Sequence, residues 1–117
     1  MKVTQTFAVE EIPNPHFISV RILHTSDQAQ FEHLILEAGQ EQKKHVAYTN
    51  VYLYVLEGTG VLEAGDEVIQ LSADMLVEMP PETPHRLSNP SAGRLRILNV
   101  KAPRATKATH VVRESSQ

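Results

Sequence analysis

The chain has no cysteine among its 117 residues, which excludes thiol catalysis, cysteine-ligated zinc and disulfide frameworks together. It also lacks any apolar run long enough to span a membrane. Its start, Met1 to Phe7, carries no signal-like apolar core. With cysteine missing as well, we expect a cytoplasmic protein and no membrane partner. Strong charge of one sign is absent too. The formal net charge is −3 with both signs interspersed, which argues against a nucleic-acid partner. The only basic bias lies in the tail (Lys101, Arg104, Lys107, Arg113), and Glu114 interrupts it. There is no glycine-rich phosphate loop, and Ser72, Ser88 and Ser91 sit in no nucleophile elbow. No window carries a helical period.

What the chain does have is strand signal. Its length suits one domain that can bury a core without staples. Residues 2–9 alternate Val3, Gln5, Phe7 and Val9 against Lys2, Thr4, Thr6 and Ala8, which predicts an edge strand. Pro13 and Pro15 around Asn14 make a stiff turn. Residues 17–24 and 31–37 read as strands, and 38–44 as a charged loop opened by Gly39. The run 51–56 reads as a central strand buried on both faces. Residues 61–64 and 67–71 flank Gly65-Asp66, the two-residue signal of a tight hairpin. Residues 75–79 form a further strand, closed by Pro80-Pro81, and 94–101 the last, with Leu95 and Ile97 on one face. Strands spaced by about eight to twelve residues with turns between them indicate an all-β sandwich or barrel.

The stretch from Gly39 to Asn89 adds a more specific pattern. Gly39, five residues, His45 and finally Gly58 keep the frame G-x5-H-x-H-x(3,4)-E-x6-G, with V-L-E-G at its end. Pro80, His85 and Asn89 keep the frame G-x5-P-x-G-x2-H-x3-N, with P-P-E-T-P-H inside it. These two motifs resemble those of the cupins, in particular the small conserved-barrel type, with a degenerate first motif. The resemblance implies a double-stranded β-helix, or jelly-roll barrel, over residues 12–103. Residues 1–11 then become an N-terminal edge strand and a candidate for exchange in a dimer, and 104–117 a polar C-terminal tail.

In metal-binding cupins two histidines and a glutamate of the first motif join a histidine of the second. By position His45 and His85 match, while Ala47 and Val51 replace the other ligands. Neither replacement offers a lone pair, so the resemblance implies an incomplete metal site. Ala73 and Glu82 stand for motif glycines, and from Ala73 to Pro80 there is one residue more than the family spacing. That surplus predicts a β-bulge or shifted turn between Leu76 and Met79, where Glu78 would be re-aimed.

The expectation is therefore a small-molecule-binding barrel whose pocket contains His45, His85, Tyr48, Leu53 and Val55. His45 and His85 are its metal candidates, for a weakly held divalent zinc, iron, manganese or nickel, and no cofactor is otherwise specified. His33 is the next histidine to consider, because strand 31–37 can face the cavity; His16, His24 and His110 have no comparable support. Two other functions stay open: a cupin enzyme and a structural or regulatory homodimer module. The enzyme would be a metal-dependent oxygenase or isomerase, or a metal-free epimerase using His45 and His85 as acid and base.

Overall fold

The computed structural model describes residues 1–113. Among these residues ten strands form two five-stranded sheets: β1 Ser19–Thr25, β2 Gln30–Leu36, β3 His45–Val46, β4 Val51–Glu57, β5 Thr59–Ala64, β6 Glu67–Ser72, β7 Leu76–Met79, β8 His85–Ser88, β9 Leu95–Lys101 and β10 His110–Val111. One sheet runs β1-β2-β9-β4-β7 and the other β10-β3-β8-β5-β6, with every pairing antiparallel. This is the jelly-roll that the resemblance implies. Among the described residues there is no α-helix.

Period-two alternation sets the core. Leu34 and Leu36 on β2, Leu53 and Val55 on β4, Leu62 on β5, Leu87 on β8, and Leu95 and Ile97 on β9 all turn inward and are buried. Burying each such side chain contributes roughly 1.5–3 kcal/mol before chain entropy is counted. The Gly65-Asp66 hairpin joins β5 to β6 in the expected place, with Ala64 opposite Glu67.

Several expectations need correcting. Strand β4 is buried on one face only: Val51, Leu53 and Val55 point in, whereas Tyr54 and Leu56 are exposed on the outer face. Residues 2–9 form no strand. Thr6–Ala8 is a 3-10 turn in which the Gln5 side chain accepts from Phe7 N–H at 2.8 Å. Phe7 lies edge-on to His33 with the guanidinium groups of Arg21 and Arg96 over its ring, so side-chain contacts rather than edge pairing hold this segment. The tail is also not merely polar. Residues 110–111 form β10 against β3, and the remainder of the tail expectation, at 114–117, lies outside the described residues.

No bulge occurs between Leu76 and Met79; β7 pairs with β4 in unbroken register from Leu76 opposite Tyr54 to Met79 opposite Val51. The register shifts lie instead at Ile22/His24 and at Val55/Glu57. The reason is that Asp74, not Ala73, adopts the left-handed conformation, with φ 70°. Asp74 followed by five residues and Pro80 restores the motif spacing, so no residue is surplus. An aspartate tolerates this backbone region better than most side chains do. Glu78 stays an exposed residue on the outer face.

Candidate functional site

The two sheets enclose a cavity of about 200 Å³. Its apolar wall comes from Val20, Leu34, Val51, Leu53 and Leu87, with the Ala47 methyl beside them. His45 and His85 both line it. Strands β3 and β8, too short to stand out in the sequence, place these two residues directly opposite each other. Their ring centroids are 4.2 Å apart. The two rings are anchored in the same way. His45 Nδ1 bonds the Lys43 carbonyl at 2.9 Å, and His85 Nδ1 bonds the Thr83 carbonyl at 2.8 Å. A carbonyl only accepts, so each Nδ1 carries the proton and each Nε2 keeps its lone pair.

A third imidazole completes the wall. His16 packs on His45 with centroids 4.6 Å apart, and its Nδ1 accepts the Lys43 N–H at 2.9 Å. Its tautomer is therefore the reverse: in the neutral ring, Nε2 bears the hydrogen. One residue, Lys43, thus fixes two rings through its two backbone groups. Burial, the largest cause, together with the neighbouring His85 holds the His45 pKa down at about 3. Burial likewise lowers His85, and burial with the Lys43 charge lowers His16. All three rings are neutral at pH 7.

The opposite wall holds a satisfied polar network. Glu32 accepts from Asn99 at 3.0 Å and from Gln30 at 2.6 Å, and pairs with Lys101 at 3.4 Å. Asn99 and Lys101 continue the inward face that Leu95 and Ile97 begin on β9, and Glu32 shares its face with Leu34. The alternation carries that signal, but the apolar half of β9 draws attention away from its polar end.

Other sequence candidates lie elsewhere. Leu53 lines the cavity, but Val55 is fully buried core outside its wall. Tyr48 also lies off the wall, with the Lys107 ammonium 4.1 Å from its ring centroid. His33 points to the opposite face of its sheet, where it is 1% exposed under Phe7. Asn89 is structural: its amide donates to the carbonyls of Leu36 and Gly93, both at 2.8 Å.

The resemblance implies a divalent ion, and the donors present do not make a full site for one. Among the described residues, no group engages the two Nε2 lone pairs. His16 Nδ1 is occupied, Ala47 and Val51 contribute only hydrocarbon, and the Glu32 oxygens are engaged by three donors. Among the described residues no group of three or more His, Asp or Glu is arranged to hold a metal.

Comparison with known proteins agrees with this architecture. A family model described as "Cupin domain" matches residues 32–101. The crystal structure of TT1209 from Thermus thermophilus superposes with a TM-score of 0.73 at 29% identity, covering 88% of this chain and 98% of that one. The polyketide cyclase RemF from Streptomyces resistomycificus gives a TM-score of 0.84 at 18% identity, covering 98% and 87%. An RmlC-like cupin family protein with a double-stranded β-helix fold, from Methanocaldococcus jannaschii, gives 0.70 at 23% identity, covering 81% and 88%. No curated protein sequence matches the chain. Among the described residues no helix is long and apolar enough to cross a membrane.

Proposed function

The chain belongs to the cupin domain family, and from that premise we propose that it binds a compact small molecule inside the barrel. The observation that carries this reading is the cavity of about 200 Å³ with two adjacent imidazoles whose Nε2 lone pairs are used by no group among the described residues. Drug-sized sites generally run to about 300–1,000 Å³, so the occupant is smaller than those. Apolar walls supply burial and a few polar groups supply orientation. A divalent ion (zinc, iron, manganese or nickel) would find only two free nitrogen donors here, which supports at most weak retention.

An enzymatic reading has less support. RemF is a polyketide cyclase by name, and at 18% identity it shares the fold with this chain. Metal-free proton transfer would need a base whose pKa lies near neutrality, and burial takes His45 down to about 3. As it stands, the pair is better suited to accepting hydrogen bonds than to removing protons.

For assembly we carry a homodimer in the same proposal. Tyr54 and Leu76, cross-strand neighbours on the outer face of β4 and β7, are 36% and 57% exposed. An apolar pair of this kind beside a sheet edge suits contact with a second copy. Light scattering should return twice the chain mass; the single-chain mass would remove this part.

The binding reading is tested by methyl-resolved NMR with a library of compact molecules. Hits should shift the Leu34, Leu53 and Leu87 methyls, and Ala47→Leu, which fills the hollow, should weaken them while circular dichroism stays unchanged. Hits that move only outer-face resonances, or bind Ala47→Leu equally well, contradict it.

A further inference from the structure

Hydrogen-bond capacity already used inside the cavity defines what a ligand has to bring. Glu32, Asn99, Gln30 and Lys101 satisfy one another, and Lys101 Nζ also donates to Thr109 Oγ1 at 3.2 Å. Uncommitted acceptors are concentrated on the opposite wall, at His45 and His85. Both are held in the same tautomer by a carbonyl two residues earlier in the chain. As register partners they leave the sheet on one face, side by side. The pair is therefore a two-pronged acceptor, its two rings tilted by 52° with centroids 4.2 Å apart.

From this geometry, and resting on the binding reading above, we propose that the pair directly receives two hydroxyl groups carried on neighbouring carbons of a compact, largely apolar molecule. An aromatic 1,2-diol represents this class. The two O–H groups donate to His45 Nε2 and His85 Nε2, and the hydrocarbon lies against Leu34, Leu53 and Leu87. Carboxylates and other acceptor-only groups are disfavoured, because they would bring lone pairs against lone pairs on neutral rings. Leaving the two acceptors without donors inside a buried site is itself unfavourable, so selection works against molecules that merely fill the space. No metal takes part.

The test uses the full chain, stripped of metal, with catechol, phenol, 1,2-dimethoxybenzene and benzoate as probes. Calorimetry gives affinities, and long-range nitrogen-15 spectra of the histidine side chains report each Nε2. Catechol should shift the Nε2 signals of both His45 and His85 and bind about tenfold tighter than phenol, the value of one further hydrogen bond. Dimethoxybenzene and benzoate should leave both signals in place. His85→Phe should bring catechol down to the phenol level; should that variant not fold, the wild-type nitrogen shifts decide alone.

Equal binding of catechol and dimethoxybenzene with shifts of the Leu53 methyls would overturn the diol proposal and leave the binding reading intact. If no probe moves any cavity resonance, the diol proposal fails, and the library screen separately judges the binding reading. Catechol binding that appears only after zinc is added also overturns it.

Discussion

Arg96 Nε donates to His33 Nε2 at 3.1 Å beneath the ring of Phe7. A cation therefore holds this imidazole in the role of an acceptor, and the ring lies buried on the sheet face away from the cavity. Burial first, then the charges of Arg96 and Arg21, lower its pKa to about 4 from 6.5.

That depression carries a sign. Above pH 6.5 His33 is neutral in both folded and unfolded chains, and its contribution to stability is constant. Between 6.5 and about 4 the unfolded chain takes up a proton that the folded chain refuses, so stability falls as pH falls. Protonation would also set two donors face to face across the Arg96 bond. Thermal melts from pH 8 to pH 4 should show this loss, which His45 and His85 add to. In His33→Gln the slope should be shallower by about one proton. An unchanged slope would mean that His33 titrates normally.

The glycine that follows β4 supports a sharper contrast. Gly58 has φ 87°, and a Cβ there would run into the Arg94 carbonyl oxygen, which is backbone and cannot step aside. Gly39 has a similar φ of 81° but open space around it. Denaturant titrations should show Gly58→Ala costing more than about 2 kcal/mol, from clash added to conformation, and Gly39→Ala about 1 kcal/mol, from conformation alone. Equal costs would contradict the close approach.

The shifted motif frame predicts opposite effects at the two positions where the motifs carry glycine, Ala73 and Glu82. Glu82 sits at φ 63° and is exposed. Glu82→Gly should therefore stabilise the fold by about 1 kcal/mol, by releasing a strained side-chain residue. Ala73 has no such backbone strain, so Ala73→Gly should destabilise by about 0.5 kcal/mol through added freedom in the unfolded chain. Stabilisation at Ala73 would return the motif glycine to that position. Differential scanning calorimetry reads both.

Rebuilding the two lost motif ligands should convert the cavity into a metal site. The double variant Ala47→His with Val51→Glu places new donors on the wall that already holds His45 and His85. Without metal it should be less stable by about 3 kcal/mol, since a charge replaces a buried valine. Zinc or nickel should recover that loss and bind at least about a hundredfold tighter than to the parent, as two ligands become four. Calorimetry with each ion decides this; parity with the parent would mean that the motif positions do not converge.

The histidine pair is legible in the sequence because both residues sit at motif positions beside strands, and strand side chains follow a local two-residue rule. The same rule extends to Asn99 and Lys101, whose polar character disguises an inward face. The motif glycine position is ambiguous in one dimension, because two neighbouring residues, Ala73 and Asp74, fit a turn equally well there. Only the backbone shows which of them turns.

Composition determined the absence of thiol chemistry, strand spacing an all-β sandwich or barrel, and the resemblance to the cupin motifs implied a jelly-roll with a first motif short of two donors. Each of these depends on residue type or nearest-neighbour spacing, which folding does not alter. Tertiary structure decided that His16 joins the pair, that Tyr48 and Val55 do not, that Phe7 covers His33, and that residues 110–111 complete a sheet. Those outcomes depend on contacts between segments far apart in the chain, and their energies exceed the weak local preferences along it.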